Sequence, residues 1–469
     1  MVRSALRLPF AFTPGFANAR PKKVVCRRAV WVQLPGSLSP QPPPPVNSIL
    51  RSEFSRQVAL RLAAPLFIAG LLISSGYGAT APVTAPKAAA VAGLKWIDAW
   101  GVSFLPTTVN GQLRPALSFD HQTIRLNIFS KLAGTQARVK FTNKFQTAPL
   151  VIGSAHLALR ADAGTIVPAT DRALTFSGAK SATLAAGAEL WSDPVTLDVP
   201  QHAEVAVSIY LPENFKPTAF HLTGSKTNYV STAGDFTSAP TMPVAPGTGR
   251  PNDSVYFISG LQVMAPARTK VIVAIGDSIT DGAASSLDGN GSWPDVLSKR
   301  LPALPDGTPV SVINMGIGSN RITSADAAGP TGVHRFADDV LARSNVTHVL
   351  VLEGINDISY EHVKPEQLIA AYQDVIARAH AQGWKIFGGT LLPIQNSTKD
   401  TPENEATRQT VNQWIRTAKA YDAVLDFEKV VQDPANPLRI RRDLTGDFVH
   451  PNSTGYRLMA ESIDLKLFE

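Results

Sequence analysis

The stretch that decides the fold is Val271-Ile272-Val273-Ala274-Ile275-Gly276-Asp277-Ser278-Ile279-Thr280-Asp281-Gly282. Its first five residues are an unbroken apolar run of strand formers, the pattern of a strand buried on both faces of a parallel sheet. Small and polar residues follow at once. Gly276 allows a tight turn, and Ser278 then stands at the carboxyl end of the strand, where open α/β sheets bind their ligands. A serine on such a corner is a candidate nucleophile if a base can reach it. Taken alone, the same residues also suit a helix cap, which Asp and Ser favour.

Downstream the same grammar repeats. Short apolar runs recur at Val310–Ile313, Val349–Leu352, Ile386–Gly389 and Val424–Phe427, with helix-period segments such as Glu366–Ala381 and Ala406–Ala420 between them. Alternating strands and helices over residues 267–469 predict a three-layer α/β fold around a parallel sheet of about five strands. Upstream, over 96–266, the period changes to two. Thr123–Phe129, Ala137–Thr142 and Val205–Leu211 alternate, and Gly, Pro, Asn and Asp clusters separate them. That pattern predicts an antiparallel β-sandwich or jelly-roll-like domain. Residues 82–95, rich in Ala, Pro and Val, are expected to form a linker.

The chain has 469 residues, 44% hydrophobic and 17% charged, as expected for two globular domains. Its net charge of +7 suggests nucleic acid only until it is located. Residues 1–81 carry ten Lys/Arg and one acid, Glu53, hence +9; subtracting this from +7 leaves −2 for residues 82–469. Nucleic acid is therefore not an expected partner. Arg56 and Arg61 precede the apolar run Leu62–Ile73, and Ala79-Thr80-Ala81 follows. Residues 56–81 therefore have the layout of a secretory signal cleaved after Ala81, which predicts a secreted or periplasmic protein with no stable membrane anchor after cleavage. A signal belongs at the start of a chain, so residues 1–55 are expected to be a disordered extension ahead of a true start near Val46, Val58 or Leu60. The single cysteine, Cys26, lies in that extension. The remainder has no thiol for catalysis, disulfides or metal binding.

Four polar features sit after the apolar runs or near the chain's end. They are Ser278, the segment Asn314–Asn320, the segment Glu353–Asp357, and Asp447–Pro451. In a parallel sheet the strand ends share one side, so these features can converge. A serine hydroxyl needs a base to take its proton, and His450 can act near neutral pH. Asp447, three residues earlier, can orient the imidazole and stabilise its cation. Backbone N–H groups of Ser278 and of the Gly318–Ser319 corner, with the Asn356 amide, can surround a developing oxyanion. Asp277 and Asp357 are expected to be turn or scaffold residues. Trp293 is expected to pack a helix start, and Trp96, Trp100, Tyr210 and Tyr229 to pack the β-rich core. Thr390–Pro393 suits either a cleft lining or a plain loop. The other histidines, among them His334, His362 and His380, lack clustered carboxylates in sequence, so no metal site or other cofactor is expected.

Gly276-Asp277-Ser278-Ile279-Thr280, Asn314-x-Gly316-Ile317-Gly318-x-Asn320-Arg321, Gly354-Ile355-Asn356-Asp357 and Asp447-x-x-His450-Pro451 together resemble the blocks of the SGNH (GDSL-type) hydrolase superfamily. The resemblance covers residues 269–469. It implies a flavodoxin-like αβα fold, Ser278 as nucleophile, Asp447 and His450 completing a triad, and Asn356 as an oxyanion donor. It also implies an esterase or acylhydrolase needing no cofactor. The family's second block often has a second glycine where this chain has Ser319, so Gly318 and Ser319 both stay open as the backbone donor. The function expected is a secreted serine esterase acting on a small-molecule ester or an acylated glycan. The alternatives are a polysaccharide O-deacetylase with a glycan-binding β-domain, or a non-catalytic carbohydrate-binding or adhesion protein.

Overall fold

A computed structural model describes residues 93–109, 112–113, 116–245, 252–323 and 330–469. The expected extension, signal segment and most of the linker lie outside the described residues. Among the described residues no helix is long and apolar enough to cross a membrane.

The N-terminal part is built on two large antiparallel sheets, with three two-stranded pairs beside them among the described residues. One places Leu94–Gly101, Ile258–Pro266, Gly134–Thr142 and Glu189–Trp191 side by side, with Val195–Val199 also on Gly134–Thr142. The other runs Arg172–Ala173, Ser154–Asp162, Glu204–Leu211, Gln122–Phe129, Tyr229–Ala233. The first strand begins at Leu94 rather than Trp96. The alternating residues of Gln122–Phe129 split as their period dictates. Ile124, Leu126 and Ile128 enter the core between the sheets. The polar set, Thr123, Arg125 and Asn127, is buried as well. Loops cover that face: the Arg125 guanidinium donates to Ser208 Oγ (2.8 Å) and to the carbonyls of Gly164 and Ala239 (2.7 Å each). A buried charge is tolerated there because its donors are satisfied.

Three residues follow Pro266 before the chain enters a parallel sheet. Its five strands are labelled β1 (Lys270–Gly276), β2 (Val310–Gly316), β3 (Val346–Leu352), β4 (Lys385–Gly389) and β5 (Ala423–Leu425). They pair in the order 2-1-3-4-5, all parallel. This is the flavodoxin-like order, and its switch point lies at the carboxyl end of β1. Helices Trp293–Arg300 and Ser453–Glu461 pack together, and Pro365–His380 packs against Pro402–Thr417. Trp293 is fully buried at the first helical position and stands 5.4 Å from the Phe427 ring.

Two element limits differ from expectation. The fifth strand stops at Leu425; Phe427 opens a short helix, Phe427–Val431. Between them stands Asp426, whose carboxylate accepts from Arg416 (3.0 and 2.5 Å). The helix expected at Ala406–Ala420 is Pro402–Thr417. Thr401 caps it by accepting from Asn404 N–H, and Pro402 follows as its first residue, a start signal present in the sequence.

The β-rich and α/β parts belong to one compact unit. Asp98 joins them: its carbonyl accepts from Ser311 Oγ (2.7 Å), and its carboxylate accepts from Ser344 N–H (2.8 Å) and Oγ (2.7 Å). A second set of contacts holds the segment just after Ser278. Thr227 donates through N–H (3.0 Å) and Oγ1 (2.6 Å) to Asp288, Asn290 Nδ2 donates to Glu204 (2.7 Å), and Lys131 pairs with Asp295.

Candidate active site

β1 ends at Gly276, and Asp277 leaves it in extended conformation. The Asp277 carboxylate accepts from Ile279 N–H (2.9 Å) and so caps the short helix Ser278–Asp281. The cap is thus Asp277, and Ser278 is the first helical residue, its hydroxyl free for another partner. The helix lies directly across the ends of β1 and β2, where Gly276 and Gly316 stand in register. A Cβ on Gly276 would collide with Thr280 Oγ1 and Leu352 O, and one on Gly316 with the backbone of Asp281. Both positions require glycine for this close approach.

Ser278 Oγ is 2.9 Å from His450 Nε2. On the far side of the ring, His450 Nδ1 is 2.7 Å from Asp447 Oδ2. Asp447 Oδ1 also accepts from the N–H groups of Val449 (2.9 Å) and His450 (2.8 Å). Partial burial pushes the Asp447 carboxyl up. The hydrogen bonds from the His450 ring and these two N–H groups outweigh it and bring the carboxyl down to about 2. An ionised Asp447 only accepts, so a neutral imidazole carries its proton on Nδ1. Nε2 is then the acceptor facing Ser278.

The second and third blocks are tied to this corner by hydrogen bonds. Ile317 N–H donates to Gly276 O (3.0 Å), and Asn320 N–H closes a turn onto Ile317 O (3.1 Å). Within that turn Ser319 has φ +65°, the left-handed region that favours glycine. The sequence could not tell which corner residue carries the unusual conformation; it is Ser319. Asn356, buried near the start of helix Ile355–Glu361, donates from Nδ2 to Asn320 O (3.0 Å). Asp357 accepts from Ile322 N–H (3.0 Å), Thr323 N–H (2.8 Å) and Thr323 Oγ1 (2.6 Å), a scaffold contact. All four sequence blocks therefore meet at one corner. Thr390–Pro393 is buried instead of lining an open surface. Trp96 and Trp191 sandwich the Arg138 guanidinium, 4.7 Å from each ring.

Three surrounding groups escaped the sequence reading. Arg335 is buried and donates to Gly276 O (2.8 Å), Met315 O (2.6 Å), Asn320 Oδ1 (2.6 Å) and Asp339 (3.0 Å), tying the ends of β1 and β2 to the turn. Lys399 Nζ donates to Asn356 Oδ1 (3.0 Å). His221, from the β-rich part, faces Asp281 at 3.1 Å. No spacing announces any of them, because each reaches the site from a distant segment. His380 Nε2 is 2.9 Å from a single carboxylate, that of Asp422. Among the described residues no group of three or more His, Cys, Asp or Glu could hold a metal. Burial raises the Asp277 carboxyl to about 6.

With this geometry in place, residues 274–458 match the GDSL-like lipase/acylhydrolase family. This part of the chain is a GDSL-like lipase/acylhydrolase domain. Several solved structures align with it. A lipolytic protein of the G-D-S-L family from Desulfitobacterium hafniense is 24% identical over 41% of this chain and 96% of its own, with a TM-score of 0.33. A member of the lipolytic G-D-S-L family from Veillonella parvula is 21% identical over 41% and 95%, with a TM-score of 0.33. An acetylxylan esterase from Geobacillus stearothermophilus is 22% identical over 41% and 91%, with a TM-score of 0.32. No curated protein matches the chain. The GDSL-like domain makes the protein a hydrolase acting on ester bonds.

Proposed function

We propose that the protein is an exported serine esterase that works through an acyl-enzyme intermediate. The observation that carries this reading is the unbroken chain from Ser278 Oγ to His450 Nε2 (2.9 Å) and from His450 Nδ1 to Asp447 (2.7 Å). Ser278 Oγ attacks the ester carbonyl carbon while its proton passes to His450 Nε2. The carbonyl oxygen takes the electron pair and becomes an oxyanion. Donors for it are the N–H of Ser278, the Gly318–Ser319 corner and the Asn356 amide; losing one such donor typically costs about 10²–10³ in kcat. Collapse of the intermediate breaks the bond to the alcohol oxygen, which receives the proton from His450. Water then repeats the sequence on the acyl-serine, with His450 taking its proton, and releases the carboxylic acid.

Export rests on Arg56, Arg61, Leu62–Ile73 and Ala79-Thr80-Ala81. A small-molecule ester or an acylated glycan is the substrate class, with no nucleic-acid partner and no membrane anchor after cleavage. The test is hydrolysis of aryl esters from acetyl to long acyl, beside acetylated xylan and pectin, by wild type and Ser278→Ala. Wild-type hydrolysis that vanishes in Ser278→Ala is expected, and near-normal activity in the variant would end the assignment. An exported product should begin at Pro82; one still carrying Leu62–Ile73 would overturn the export reading.

A further inference from the structure

Lys399 lies on the loop between β4 and helix Pro402–Thr417, and only 7% of it is exposed. Among the described residues no carboxylate comes within ion-pair distance of its ammonium. Burying a cation without a counter-ion is costly, so its remaining partners are informative. There are two. The ammonium sits 4.0 Å from the centre of the Tyr360 ring, a cation–π contact, and it donates to Asn356 Oδ1 (3.0 Å). The loop itself is pinned, since Asn404 Nδ2 donates to Lys399 O (2.9 Å) and Lys399 N–H donates to Ser397 Oγ (3.1 Å).

The Asn356 amide is consequently held at both ends by groups that cannot exchange roles. An ammonium only donates, so it must face Oδ1. The Asn320 carbonyl only accepts, so it must face Nδ2 (3.0 Å). A rotated amide would set NH2 against NH3+ and carbonyl against carbonyl. One N–H of Nδ2 is used by Asn320 O, which leaves the second for a ligand.

We propose that Lys399 is a positioning residue for the oxyanion site, fixing the Asn356 amide so that its second N–H faces the developing oxyanion. Withdrawal of electrons by the ammonium also polarises the amide and strengthens that N–H as a donor. The inference rests on the serine-esterase reading above. It adds that the fourth-strand loop supplies a residue acting on the substrate only through Asn356.

The test is a double-mutant cycle on kcat and KM for an aryl acetate, with Lys399→Met, Asn356→Ala and the pair, and with melting curves for each. Lys399→Met is expected to lower kcat by about 10–100-fold, short of the full loss of a donor, with KM within about twofold. In the Asn356→Ala background the same change is expected to do nothing further. Equal losses in both backgrounds, an effect confined to KM, or unchanged kcat in Lys399→Met would each overturn the proposal. If the Met variant does not fold, Lys399→Gln, which keeps a donor, carries the same comparison and should lose less than Asn356→Ala. Ser278→Ala run in parallel separates the two readings. Activity surviving there sinks the esterase mechanism, whereas additivity in the cycle sinks only the role of Lys399.

Discussion

His221 Nε2, on the β-rich part, lies 3.1 Å from Asp281 Oδ1, at the end of the turn that begins with Ser278, and both side chains are buried. The other neighbours of the ring are carbonyl oxygens: Ser103 O faces Nδ1 (3.0 Å) and Thr223 O faces Nε2 (3.1 Å). Among the described residues both nitrogens face acceptors, an arrangement that favours the cation. With the clamps at Asp288, Asn290 and Asp295, this makes the β-rich part a brace for the segment that follows the nucleophile candidate.

Replacing His221 tests the brace. Burial disfavours the cation, but Asp281 and the two carbonyls outweigh it and raise the His221 pKa. A raised histidine pKa contributes stability that is fully present below the unfolded value of about 6.5 and is lost as pH rises through the folded value. His221→Asn should therefore lower stability most at acidic pH, by about 3–5 kcal/mol if Asp281 is left unpaired. Melting temperatures from pH 5 to 9 check this. A deficit that does not shrink with rising pH would show that the cation is not the source.

Asp447→Asn should cut kcat/KM by up to about 10⁴-fold, because the amide permits the wrong imidazole tautomer. The Asp447 carboxyl, held at about 2, is a depressed acid. Its stabilisation is present above the unfolded value of about 3.9 and lost only as pH falls through 2. Asp447 should therefore add no step to the pH–rate profile above about pH 4. Rates of both proteins measured across pH decide, and near-normal activity in Asp447→Asn would overturn the orienting role of Asp447.

Asn356→Ala should lower kcat by about 10²–10³-fold with little change in KM, the signature of a donor used mainly in the transition state. An effect on KM alone would make Asn356 a substrate-binding group.

Ser319→Gly removes a side chain from a backbone position with φ +65°. Relief of that conformation is worth about 1 kcal/mol, so the variant should melt no lower than wild type and keep activity within a few-fold. A collapse of activity would assign the Ser319 side chain a role of its own.

These residues also mark how far the sequence could be read. Val271–Ile275 and its four successors announced the parallel sheet because buried strands are predominantly apolar, with Ser311 and Asp426 the polar residues within those runs. Ser278 and Asn356 were legible as candidates because they follow strands of one parallel sheet, whose ends share a side, and Asp447 and His450 because an Asp-x-x-His spacing supplies a base and its orienting carboxylate. Lys399, Arg335 and His221 were not, since each reaches the corner across a long loop or from the other sheet system, and a lone Lys, Arg or His carries no spacing. Ser319 was half legible: the missing glycine was visible, but only the backbone showed that the serine takes the left-handed conformation itself. The early stop of β5 coincides with Asp426, a polar residue inside the run Val424–Phe427 whose carboxylate accepts from Arg416.

Glu353 provides the last test. It precedes Gly354 at the end of β3, is buried, and among the described residues neither carboxyl oxygen has a hydrogen-bond partner. Arg335 Nη2 is 3.5 Å away, but that guanidinium is already committed to Gly276 O, Met315 O, Asn320 and Asp339. Burial, reinforced by the nearby Asp277 and Asp357 and opposed by Arg335, pushes the Glu353 carboxyl up to about 8. The folded state thus holds a proton that the unfolded chain releases at about 4.3. The resulting stabilisation is complete below that value and is lost as pH rises towards 8. Glu353→Gln cannot ionise, so the wild type should lose several degrees of melting temperature between pH 5 and pH 9 that the variant retains. The two proteins should lie closest at pH 5 and furthest apart at pH 9. Parallel curves would mean that Glu353 is charged throughout and paired with Arg335, and the neutral buried carboxyl would have to be abandoned.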